Sequence, residues 1–112
     1  MTFSAFLVYY VIHDKQKQPI YPSEKKVLAD LGERLRLARL RRGISAEILA
    51  HRSSISRMTL HRAEKGSPAV SMGTYLRILA ALHLTDDINL LAMDDKLGRK
   101  LQDLELTKKR SS

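Results

Sequence analysis

From Ser23 onward the apolar positions recur at three- and four-residue steps, which is the spacing of one helical face. Val27, Leu28, Leu31, Leu35 and Ala38 form the first stripe, with Lys and Arg between them, and Gly43 ends it. Ser45 suits the N-cap of a second helix carrying Ile48, Leu49 and Arg52. Ser53 and Ser54 interrupt the pattern. Ser56 then predicts the cap of a third helix with Leu60 and Ala63 inward, stopping at Gly66 before Pro68. Ser71 opens a fourth, striped by Tyr75, Ile78, Leu79 and Leu82. Thr85 is expected to cap a fifth, with Asp86 and Asp87 at the positive end of the helix dipole and Ile88, Leu91 and Ala92 inward. No segment of this body alternates with period two, and Pro19, Pro22 and Pro68 fall outside every predicted helix. The pattern predicts an all-α body of five short helices around an aliphatic core.

The two ends of the chain read differently. Ala5 to Ile12 is one apolar run, too short to span a bilayer as a helix and lacking the flanks of a signal peptide. Its β-branched and aromatic residues make it strand-like. As a strand it needs a cover, either the body or a second copy; the alternative is an ill-ordered arm. His13 to Pro22 is polar, contains two prolines and reads as a linker. Beyond the body, Leu97, Leu101 and Leu104 follow four- and three-residue steps. They predict either a helix weakened by Gly98 or an extended segment lying on a partner. In either form these leucines would complete the core or a dimer interface, or meet another protein. Lys108, Lys109 and Arg110 make a basic end. The expected organisation is an arm and linker over 1–22, a folded domain over 23–95 and a tail over 96–112.

Charge sharpens this picture. The 112 residues carry 20 Lys and Arg against 12 Asp and Glu, a net charge of +8. The excess is concentrated in residues 31–66, which hold nine basic side chains, eight of them Arg, against Glu33, Glu47 and Glu64. Such a field points to an anionic partner, and the planar guanidinium suits phosphates and base edges. Aromatic residues, on which single strands stack, are nearly confined to the first 21 positions; Tyr75 is the one beyond them. Duplex nucleic acid is therefore the expected form. The absence of Cys excludes disulfides, thiolate catalysis and Cys-ligated zinc. His13, His51, His61 and His83 lack metal-ligand spacing, and there is no glycine-rich phosphate loop and no nucleophile motif. The chain is read as a non-enzyme without cofactor or metal, cytoplasmic, with no membrane partner.

The stretch from Ala46 to Glu64 concentrates the functional reading. Small Ala50, a short turn at Ser53 and Ser54, then Ile55, Leu60 and Ala63 fit two short helices crossing steeply. That crossing leaves Arg57, Met58, His61 and Arg62 on the outer face of the second helix. A helix of this kind fits the major groove, where base edges are distinguishable.

From Leu31 to Gly66 the sequence LGERLRLARLRRGISAEILAHRSSISRMTLHRAEKG resembles the Cro/phage-repressor-like (XRE) family of helix-turn-helix proteins, and the pattern at residues 71–82 continues the likeness. The resemblance implies a five-helix lambda-repressor-like domain, flanked here by the strand-like arm and the tail. Where the family usually places Gly in the turn this chain has Ser54, which implies a left-handed non-glycine residue. Carried over by position, Ser56 to Glu64 is the recognition helix. Arg57 would read a base, most naturally guanine O6 and N7. Met58 and Thr59 would meet a thymine methyl, and His61 and Arg62 would reach bases or flanking phosphates. Ser45 and Ser56, at helix starts, suit phosphate oxygens, and Arg39, Arg41, Arg42 and Lys65 would clamp the DNA backbone. The implied function is a sequence-specific repressor of transcription that binds a palindromic operator as a homodimer. Residues 95–106 also resemble the tails of HipB-like antitoxins. This gives the alternative: an antitoxin that binds a HipA-type, kinase-like toxin protein and regulates its own operon.

Overall fold

The computed structural model describes residues 19–110. The strand-like arm expected at residues 5–12 lies outside them. All regular structure among the described residues is helical: α1 (Pro22–Arg41), α2 (Ala46–Arg52), α3 (Arg57–Glu64), α4 (Met72–Ala81), α5 (Asp86–Asn89) and α6 (Lys96–Arg110).

The helix starts follow from local chemistry. Pro22, expected outside every helix, is instead the first residue of α1, a position where its missing N–H has no intrahelical partner to lose. The Glu24 carboxylate accepts from the Tyr21 N–H at 3.0 Å. Ser45, Ser56 and Ser71 cap α2, α3 and α4, accepting from the N–H groups of Ile48, Thr59 and Thr74. Thr85 departs from expectation: it is already in helical conformation (φ −58°, ψ −34°) and its side chain caps nothing.

The helix ends share one device. After each of α1 to α4 comes a residue with positive φ: Gly43 (64°), Ser54 (56°), Gly66 (74°) and His83 (60°). Each reversal satisfies two orphan carbonyls. For α2, Ser54 N–H donates to His51 O at 3.1 Å and Ile55 N–H to Ala50 O at 3.0 Å. For α4, His83 N–H donates to Ala80 O at 3.1 Å and Leu84 N–H to Leu79 O at 2.8 Å. The residue that follows tucks back: Ile44, Ile55 and Leu84 are half-buried against the core. Ser54 therefore occupies the left-handed position that the family pattern assigns to Gly. We expect Ser54→Gly to raise stability by about 0.5–1 kcal/mol, because relief of the left-handed strain outweighs the extra freedom of Gly in the unfolded chain. Urea unfolding measures this; a loss of stability would contradict the strain.

The core is aliphatic apart from Tyr75. Leu49, Leu60, Ile78 and Leu82 are fully buried, and Leu35, Ala38, Ala50, Ala63, Tyr75 and Leu79 surround them. The Tyr75 hydroxyl donates to Ser67 O at 2.9 Å, fastening α4 to the segment after α3. Burial pushes its phenol pKa up, so the group stays a neutral donor. Where α1 crosses α3 the backbones nearly touch: a Cβ on Gly32 would sit 2.6 Å from Glu64 O and from Gly66 N.

Two apolar expectations fail. Val27 is 64% exposed because it precedes the point where α1 meets α3. Leu91 is 58% exposed and Ala92 is exposed, because α5 is a single turn ending at Asn89 and no helical face continues to 92. Of the two forms foreseen for the tail, residues 96–110 take the helical one despite Gly98, and of the places foreseen for its leucines the core is not the one they take. Asp95 starts that helix by accepting from the Gly98 N–H at 2.9 Å.

Candidate nucleic-acid interface

The core fixes which side of α3 looks outward. Leu60 and Ala63 are buried, so Arg57, Met58, His61 and Arg62 are left exposed. The ridge runs between two grooves. Arg57, His61 and Lys65 line the one facing α1, and Thr59 and Arg62 line the one facing the start of α4. Met58, 58% exposed, stands on the ridge. Four of the five expected base-reading side chains are thus accessible together. Thr59 differs: it is half-buried, and its hydroxyl accepts from the Ser56 hydroxyl at 2.9 Å, turning it toward the N-cap.

The expected phosphate-contacting residues divide. Arg41, Arg42, Ser45, Ser56 and Lys65 are exposed around the ends of α1, α2 and α3. Arg42 also donates to the Ala38 carbonyl at 2.8 Å, closing the end of α1. Ser56 both accepts from Thr59 N–H and donates to Thr59 Oγ1, so its hydroxyl serves the helix start first. Arg39 is placed differently. Its Nε donates to Glu64 Oε2 at 2.8 Å, a terminal nitrogen to Oε1 at 3.1 Å, and the other to the Ile44 carbonyl at 3.3 Å. The two side chains are only 12% and 9% exposed. The hydrogen bond to Glu64 raises the Arg39 pKa against the opposing effect of burial. Arg39 is an internal strut tying the end of α1 to the end of α3, with its guanidinium engaged by Glu64 and Ile44.

One participant escaped the sequence reading. Glu47, in the first turn of α2, accepts from the Arg57 guanidinium at 3.2 Å. The two side chains are 70% and 73% exposed, so the pair is open to solvent and holds Arg57 only loosely. They are ten residues apart on different helices, a separation that gives no periodic signal. Among the described residues no group of three potential metal ligands gathers, and no helix is long and apolar enough to cross a membrane.

Two short helices crossing through a tight left-handed turn, the second presenting a cationic outer face, define a helix-turn-helix module. A family model described as "Helix-turn-helix domain" matches residues 30–91, more than half of the chain, and the chain belongs to that DNA-binding family. No curated protein matches it, and no solved structure does.

Proposed function

We propose that the protein is a sequence-specific repressor of the Cro/phage-repressor-like kind, acting in the cytoplasm as a homodimer on a palindromic operator. The observation that carries this reading is the exposed set Arg57, Met58, His61 and Arg62 on a capped helix standing between two grooves. In the reading, α3 enters the major groove and Arg57 leaves its weak pair with Glu47 for guanine O6 and N7. Arg41, Arg42 and Lys65 meet phosphates, and the N-termini of α2 and α3 offer their free N–H groups to phosphate oxygens. One module covers few base pairs. Two modules related by a two-fold axis, about 34 Å apart, would read one face of the duplex.

Arg57→Ala tests the assignment. We expect a loss of about 1–3 kcal/mol on the preferred duplex, with relaxed preference at one base pair. Titration against single-base variants of the site reads both quantities. Equal weakening on every sequence would make Arg57 a phosphate contact and remove its role as reader. The antitoxin reading stands second; its support is the exposed leucine face of α6, which a toxin protein would have to cover.

A further inference from the structure

α6 is amphipathic, and its leucine face is open among the described residues. Leu97, Leu101 and Leu104 lie on one face and are 68%, 57% and 66% exposed. Its start is well made: Asp95 caps it and Asp94 pairs with Arg99 at 2.5 Å. Yet a helix of 15 residues with a glycine in its first turn is marginal in water without packing on its apolar face. The four- and three-residue steps are those of a heptad, with Leu97 at d, Leu101 at a and Leu104 at d. The same register puts Lys100 at g and Glu105 at e. In a parallel two-stranded pair each g residue meets the e residue of the following heptad across the seam, so Lys100 of each copy faces Glu105 of the other. An antiparallel pair would set Leu97 against Lys108 and separate Lys100 from Glu105.

We infer that the leucine face of α6 is the homodimer seam, a short parallel coiled coil formed with the same helix of a second copy of this chain. The seam supplies the dimer that the repressor reading requires, and the parallel arrangement leaves both helix-turn-helix modules at the same end. It deepens that reading without depending on DNA.

The test is sedimentation of the full chain without DNA, so its outcome is separate from any failure to bind an operator. We expect a reversible monomer–dimer equilibrium. Leu101→Glu should abolish dimer while leaving the thermal unfolding of the domain unchanged, because Leu101 is exposed and is not part of the core cluster. Lys100→Glu should weaken dimerisation about tenfold, since two attractive contacts become repulsive, and Lys100→Glu with Glu105→Lys should restore it. The chain has no Cys. Leu101→Cys therefore provides a single thiol, which in a parallel seam sits opposite itself and cross-links under mild oxidation. A chain that stays monomeric at about 100 µM overturns the proposal. So does a dimer indifferent to Leu101→Glu, whose seam lies elsewhere, or a double charge swap that fails to restore the dimer.

Discussion

Gly66→Ala is expected to cost about 3–5 kcal/mol of folding stability, a large share of what a domain of this size possesses. Two effects coincide. Gly66 has φ +74°, where an L side chain costs about 1–2 kcal/mol. Its Cβ would also drive into the Leu28 carbonyl and the Ala29 N of α1. These are backbone atoms and cannot rotate away, so α1 and α3 must part. Such overpacking costs about 1–3 kcal/mol or more. Gly43→Ala separates the two effects: φ there is +64°, but nothing lies within 4 Å of its would-be Cβ. It should lose only the conformational part, about 1 kcal/mol. Chemical denaturation of both variants decides; equal losses would show that the close approach of α1 carries no energy.

The second large effect is at the strut. Glu64→Gln should destabilise by about 3 kcal/mol, because it leaves the Arg39 guanidinium enclosed without its carboxylate. The amide keeps one acceptor but turns an N–H₂ group against a cation. Replacing both partners with Met should recover most of the loss, since an apolar pair of similar volume needs no desolvation of charge. Thermal unfolding of the single and double variants reads this. A double variant as unstable as Glu64→Gln would show that the pair itself, not the orphaned charge, matters.

Both effects draw on the crossing of α1 with α3, a long-range contact that no local pattern announces. Helix starts are local chemistry, and Ser45, Ser56 and Ser71 announced themselves as caps by position. The glycine stops at 43 and 66 and the strained Ser54 were equally readable, the last through a family pattern. His83 was not, because a histidine carries no turn signature; the reversal after α4 is set by Leu84 returning to the core. The overlong stripe after Thr85 failed because apolar spacing persists for several residues after the backbone has left the helix. At the interface, exposure of Arg57, Met58, His61 and Arg62 follows once Leu60 and Ala63 are placed inside. The fate of Arg39 does not, since its carboxylate lies 25 positions away and only the crossing of α1 with α3 brings the two together. Charge counting cannot distinguish an arginine facing solvent from one facing Glu64. The Glu47–Arg57 pair was hidden for the same reason.

The central claim is that the outer face of α3 reads duplex sequence as half of a two-fold pair. Selection of the full chain's preferred sites from a randomised duplex pool tests it most directly. The account predicts enrichment of a single inverted repeat whose half-sites are centred about 10 base pairs apart. A retained pool with no shared sequence would contradict it, leaving a basic domain that binds DNA by charge alone.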